Sequence, residues 1–231
     1  SKDINPLEFK KINFSNVSYS YPKSSSKIFE NINIEINRGD KVGFIGQSGS
    51  GKTTLINLLT GLFEPTNGII EINDKNINLN IKKWQNTIGY VSQSVYLADE
   101  SFLFNITLNN VGNTIDLDRV NHLIEILDLK KLVKSKKDGL KTPVGEKGIA
   151  ISGGQMQRIG IARALYNKPK ILILDEATNA LDVDTQNRVL KNIYSEMENE
   201  TVISVSHDKN SLKYCKKVFS VSKNDLEEII L

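Results

Sequence analysis

Apolar and polar residues alternate at the start of the chain. Phe9, Ile12, Phe14, Val17, Tyr19 and Tyr21 recur through residues 8–21, and the run stops at Pro22 and a Ser/Lys turn. Alternation closed by a breaker predicts a half-buried strand. Ile32-Asn33-Ile34-Glu35-Ile36 predicts a second, with a turn at Asn37-Arg38-Gly39-Asp40. The short run Lys41-Val42-Gly43-Phe44-Ile45 suits a buried strand. Leu55-Ile56-Asn57-Leu58-Leu59-Thr60 then places leucines at helical spacing. Glu64-Pro65-Thr66-Asn67-Gly68 reads as a turn, Ile69-Ile70-Glu71-Ile72 as a strand, and Thr87–Ser92 as a further strand ending at Gln93.

From about residue 94 to 166 the period becomes helical. Val120, Leu123, Ile124, Leu127 and Leu129 share one face, which Leu132 and Val133 extend. A separate helical lobe is expected there. Lys170-Ile171-Leu172-Ile173-Leu174 is a continuous apolar strand suited to the middle of a parallel sheet. A helix over 183–198, a strand at Thr201–Val205 and a final strand near 217–221 complete an α/β pattern.

Composition narrows this little. With 39% hydrophobic and 25% charged residues, the 231-residue chain is ordinary for a globular protein. A net charge of +3 offers no field built for nucleic acid. The single Cys215 excludes an internal disulfide and fits a reducing compartment. No stretch approaches the length of apolar sequence that spans a membrane. The start, Ser1-Lys2-Asp3-Ile4, has neither Met nor a secretory pattern, as expected of a segment cut from a longer chain.

The chemistry centres on Gly46-Gln47-Ser48-Gly49-Ser50-Gly51-Lys52-Thr53-Thr54, between a predicted strand and a predicted helix. Gly-x4-Gly-Lys-Thr in that setting is a phosphate-binding loop. The glycines permit the positive φ that turns N–H groups inward, and the helix adds its positive end. Lys52 can reach the β- and γ-phosphates, and the Thr53 hydroxyl can ligate Mg²⁺. A nucleoside triphosphate is the expected ligand.

Asp175-Glu176 follows the 171–174 strand, at the carboxyl end where open α/β sheets place ligands. Asp175 can hold Mg²⁺ and Glu176 can deprotonate a water, although solvated acids capping a strand share this pattern. Ile151-Ser152-Gly153-Gly154-Gln155 opens a helical run. Ser152 is a natural N-cap, and two glycines leave first-turn N–H groups open to an anion, or simply begin a helix. One phosphate loop plus one unmatched anion site suggests that each serves the other subunit's nucleotide. His207 follows the Thr201–Val205 strand, expected at the same sheet edge as Asp175, and could reach a γ-phosphate; a structural role is the alternative. Tyr21 could stack on a base or merely pack. His122 reads as surface.

Together these motifs resemble the ATP-binding domain of ABC transporters over nearly the whole chain. Gly46–Thr54 resembles Walker A, Ile171–Glu176 Walker B, and Ile151–Gln155 the family signature. Gln93 matches the Q-loop, Ala180-Leu181-Asp182 the D-loop, His207 the switch histidine, and Tyr21 the adenine-stacking aromatic. The resemblance implies a P-loop NTPase core with a mostly parallel sheet and an N-terminal antiparallel part (1–93 and 167–231), and a helical signature lobe (94–166). It also implies a head-to-tail homodimer that sandwiches ATP between Walker A of one subunit and Ser152, Gly153, Gly154 and Gln155 of the other, with Asp182 at the junction. Catalysis would fall to Glu176 as general base with His207, Lys52 and Gln93, and Mg²⁺ to Thr53, Gln93 and Asp175.

Phe14–Pro22 and Thr142-Pro143-Val144-Gly145-Glu146-Lys147-Gly148 resemble exporter-type domains, which follow membrane helices on one polypeptide. A transmembrane partner and a place at the cytoplasmic face of a membrane, the inner one in a bacterium, are therefore expected. Lipids, lipid-linked oligosaccharides, peptides and drugs all remain open as substrates. Ile151 replaces the usual Leu, Asn179 the usual Ser before the D-loop, and Asp208 a frequent Arg, while Ser94–Phe104 diverges after Gln93. None of these departures is expected to touch the hydrolytic residues. The rival is a superfamily ATPase acting on nucleic acid or the ribosome. Residues 94–151 are too short for the coiled coil such repair proteins insert, and the near-neutral charge argues against nucleic acid.

Overall fold

The computed structural model describes residues 5–24, 26–108, 114–145 and 148–230. Ser1–Ile4 of the start, Ser25 of the Ser/Lys turn, and Glu146 and Lys147 of the exporter-like segment lie outside the described residues. In chain order, the first elements are β1 (Lys11–Ser20), β2 (Lys27–Asn37), β3 (Lys41–Ile45), α1 (Lys52–Leu59), β4 (Asn67–Ile72), β5 (Lys75–Asn76), α2 (Ile81–Thr87) and β6 (Ile88–Val91). Then come α3 (Phe102–Thr107), α4 (Leu117–Ile126), α5 (Lys130–Lys134), α6 (Gly153–Tyr166) and β7 (Ile171–Asp175). The last are α7 (Val183–Glu196), β8 (Thr201–Ser206), β9 (Lys217–Ser222) and β10 (Asp225–Ile229). Two compact units result, residues 1–88 with 198–231, and residues 89–197.

The first unit holds an antiparallel sheet in the order β2-β1-β4-β5. Phe14 of β1 lies opposite Ile34 and Ile70, and Ile12 opposite Ile36 and Ile72, so one apolar face is continuous across three strands. Along β2, Ile32, Ile34 and Ile36 are buried and Asn31, Asn33 and Glu35 exposed, the alternation expected of a sheet with one wet face. Asn16 and Asn31, both at positive φ, mark irregularities in the ladder, and Asn tolerates that conformation better than most residues.

The same unit carries parallel strands. β3 pairs with β8 on one side and β9 on the other, both parallel, and β10 closes on β9 antiparallel. Val42, Phe44, Ile203 and Val205 are buried, as a covered parallel sheet requires. Burying each such side chain contributes about 1.5–3 kcal/mol. Beside them, Leu55, Ile56, Leu58 and Leu59 of α1 are buried, and Trp84 of α2 donates its Nε1–H to Leu59 O at 2.8 Å.

Two boundaries differ from the sequence pattern. Thr87 finishes α2, where its hydroxyl donates to Lys83 O at 2.8 Å, so the strand expected at Thr87–Ser92 spans only Ile88–Val91. The strand near 217–221 is not the last, because β10 pairs with it in register. β10 is polar and exposed over most of its length, so its sequence carries no apolar signal.

In the second unit β6 and β7 are neighbours, and α6 packs on α3 and α4 while α4 meets α7. Val120, Leu123, Ile124, Leu127, Leu129 and Val133 of the helical stripe the sequence predicts are buried there, and Ile159, Ile161, Ala162 and Leu165 of α6 are buried as well. Asn105 and Arg163 tie this unit together. Arg163 Nε donates to Asn105 O at 2.7 Å and its NH1 to Tyr96 O at 3.0 Å, so the divergent segment after Gln93 is fastened to α6. Among the described residues no helix is long and apolar enough to cross a membrane.

Candidate functional site

In the first unit the loop between β3 and α1 forms a cradle. Gly49 and Gly51 adopt φ +78° and +107°. A side chain at Gly51 would also come within 3.0 Å of Ile28 and Phe29. Gly51 is the N-cap of α1 and supplies no capping side chain, so the helix's first N–H groups face the loop without a side-chain acceptor. A Cβ at Gly46 would meet Val221 O at 2.5 Å and Ser50 Oγ at 2.6 Å, so the loop closes tightly on itself. The Ser50 hydroxyl is buried without a hydrogen-bond partner, and a donor of that kind suits a phosphate oxygen.

Lys52 is 7% exposed and donates from Nζ to Gly46 O at 2.8 Å and Gln47 O at 2.9 Å. The ammonium therefore spans the loop from within. Thr53 is exposed on the first turn of α1, with Gln47, Ser48 and Gly49 exposed beside it. Thr54 is buried, and its Oγ1 lies 2.8 Å from the Tyr21 hydroxyl. The Tyr21 ring meets Tyr19 and Phe63 edge-on and remains 41% exposed, so it packs and still presents surface beside the cradle. His207, in the same unit, is exposed just beyond β8.

The second unit gathers the carboxylates. Asp175 ends β7 at 7% exposure, and its Oδ2 accepts a bond from the Tyr90 hydroxyl at 3.1 Å. Burial, with Asp175's charge and hydrogen bond, pushes the Tyr90 phenol well above its ordinary value, so it acts as a neutral donor. Nothing in the spacing pointed to Tyr90. Only the side-by-side placement of β6 and β7 reveals it.

Glu176 has φ +50°, a left-handed conformation that costs a non-glycine residue of order 1–3 kcal/mol and gathers at functional sites. Gln93 Nε2 donates to its Oε2 at 3.0 Å, and Asn179 Nδ2 donates to the same oxygen at 3.0 Å. Asn179 was expected to leave the hydrolytic residues untouched; its amide instead reaches Glu176 directly. The tight turn that returns Asn179 N–H to Glu176 O at 3.3 Å brings the two side chains together.

The signature residues also sit in this unit. Ser152 caps α6 in a reciprocal box: Gln155 N–H donates to Ser152 Oγ at 3.2 Å, and Ser152 N–H to Gln155 Oε1 at 3.0 Å. Gly153 and Gly154 form the first turn. A Cβ at Gly154 would meet Ala180 O and Leu181 Cδ2 at 2.9 Å each, so the signature and the 180–182 loop touch through bare backbone. Gln157 adds a side-chain link that sequence reading missed, accepting Ala180 N–H on Oε1 at 3.0 Å. Asp182 caps α7 through Thr185 N–H at 3.0 Å, and that hydrogen bond holds its carboxyl below the usual range. His122 is exposed as expected, with Nε2 2.7 Å from Glu196 Oε2.

Among the described residues no cluster of three or more His, Cys, Asp or Glu could hold a metal by itself. The hydroxyl of Thr53 and the carboxylate of Asp175 are hard oxygen donors of the kind Mg²⁺ takes alongside substrate phosphates.

The fold is that of an α/β ATPase. Residues 29–179 match the ABC transporter family, and the chain belongs to it, as an ATP-binding domain with ATPase activity. It is 36% identical over 218 residues to the leukotoxin translocation ATP-binding protein LktB of Mannheimia haemolytica, covering 94% of this chain and 30% of that protein. The LktB of Bibersteinia trehalosi matches to the same extent. The structure of a bacterial Atm1-family ABC exporter with ATP bound superposes with a TM-score of 0.88 at 26% identity, covering 99% of this chain and 40% of that one. The chain thus spans less than a third of the curated relatives and two fifths of the solved exporter.

Proposed function

We propose that this chain is the motor of an exporter-type transporter, working at the cytoplasmic face of a membrane with a transmembrane partner. Two copies close head to tail, and each ATP lies between the 46–54 loop of one copy and the capped 151–155 helix start of the other. Residues 94–166 serve as the lobe that carries the signature. Lys52 and the loop amides bind the phosphates, Tyr21 stacks on the adenine, and His207 and Asp182 complete the closed site. Thr53, Asp175 and Gln93 would hold Mg²⁺, which neutralises phosphate charge when bound. A water attacks the γ-phosphorus, Glu176 accepts its proton, and the bond from that phosphorus to the β–γ bridging oxygen breaks, leaving ADP and inorganic phosphate. Cargo choice belongs to the transmembrane helices that such motors drive.

The observation that carries this reading is Glu176 itself. It is a carboxylate at the end of β7, held by two amide donors on a strained backbone. The test is Glu176→Gln. ATP binding should persist while hydrolysis falls by about 100-fold or more, as expected on loss of a general base. The variant should also dimerise when ATP and Mg²⁺ are added, read by light scattering. Hydrolysis at the unmodified rate would end the assignment of the base, and a monomer at every concentration would count against the sandwich.

A further inference from the structure

We propose that Asn179 is a positioning residue for Glu176, holding the carboxylate in one orientation toward the attacking water. This deepens the reading of Glu176 as general base and rests on it.

Both bonds to Oε2 come from amide nitrogens at 3.0 Å, yet the two donors differ in origin. Gln93 lies 83 residues away in sequence, on the exposed segment after β6. Asn179 lies three residues on, inside the turn that Glu176 itself begins. A second donor, from a separate stretch of the chain, narrows the orientations open to the carboxylate. The donor on Glu176's own turn travels with it. The carboxylate therefore keeps its aim when the segment carrying Gln93 shifts.

Three features speak for an amide at this place. The backbone turn already fixes Asn179 relative to Glu176 through its own N–H. Gln157 braces the next residue by accepting Ala180 N–H at 3.0 Å, so the turn cannot rotate freely about its end. Asn179 is exposed, so its side chain adds nothing to the core, and its contribution is the hydrogen bond. A serine, usual here in the resembling family, carries its donor one bond nearer the backbone and cannot match that reach. Bonds to charged acceptors are also the stronger class, which makes the contact able to hold a strained residue.

The experiment measures steady-state ATP turnover of this chain, with active sites counted by bound nucleotide, in Asn179→Leu, Asn179→Asp and Glu176→Gln. Asn179→Leu keeps the shape and removes the donor. Its kcat should fall about 10-fold with the ATP KM within about twofold, the pattern of an interaction that matters in the transition state. Asn179→Asp places a second carboxylate against Glu176, so its kcat should fall further, again without a change in KM. Because either variant tests the bond, one that folds poorly leaves the other to decide. The proposal is overturned if both keep kcat within about twofold while Glu176→Gln is inactive, or if kcat and nucleotide binding decline together. Turnover by Glu176→Gln at the unmodified rate would instead overturn the general-base reading, a result separable from the other two.

Discussion

The Tyr90 hydroxyl donates to Asp175 Oδ2 across 3.1 Å, linking the middle of β6 to the last residue of β7. Tyr90→Phe deletes this bond and little else, since the ring is 44% exposed. Asp175 would then rotate more freely. We expect the Mg²⁺ concentration for half-maximal turnover to rise about fivefold, with stability lower by about 1 kcal/mol in urea. Turnover measured against Mg²⁺ at fixed ATP checks this, and an unchanged curve would remove Tyr90 from the site.

Lys52 is held by two carbonyls of its own loop, Gly46 O and Gln47 O. Nucleotide phosphate is the stronger acceptor for an ammonium. Lys52→Ala should therefore weaken ATP binding by about 100-fold, the scale of a lost bond between charged groups, measured by calorimetric titration. Unchanged affinity would refute the assignment of the loop.

Gly154 sits where a methyl group would press on Ala180 O and Leu181 Cδ2, each at 2.9 Å. The carbonyl is backbone and cannot step aside cheaply. Gly154→Ala should cost about 1–3 kcal/mol of stability and displace the 180–182 loop from the signature. In the Glu176→Gln background the added methyl should abolish ATP-driven dimerisation, read by light scattering. Intact dimerisation would show that the two segments need not touch.

Glu196 receives bonds from Arg119 and from His122, the latter at 2.7 Å. Burial alone would raise its carboxyl, and the two donors outweigh that, leaving it below the ordinary value of 4.5. The unfolded chain therefore binds this proton more readily than the folded one. The resulting stabilisation is present above pH 4.5 and is lost as pH falls through the lower folded value. Denaturant midpoints of the unmodified chain should decline below that pH, and Glu196→Gln should show a shallower decline. Equal slopes would mean that other carboxylates dominate.

Much of the architecture was written in local order. Strand alternation in β1 and β2, the continuous apolar run of β7 and the helical stripe of α4 each follow from side-chain period, which neighbours in sequence establish alone. The elements that escaped lack such a period. β10 is held by register with β9, and α2 is anchored by Trp84 on Leu59 O, relations that exist only after distant segments meet.

The site divides in the same way. Residues 46–54 and the Ser152–Gln155 capping box are shaped by their own backbone and immediate neighbours, so spacing alone was enough to place the loop and the helix cap. Tyr90 on Asp175, Gln157 on Ala180 and Gln93 on Glu176 join positions far apart in the chain, and folding alone brought them within hydrogen-bond range. Asn179 lies between the two cases. The sequence marked it as a departure, but only the turn at Glu176, with its left-handed backbone, aimed the amide at the carboxylate.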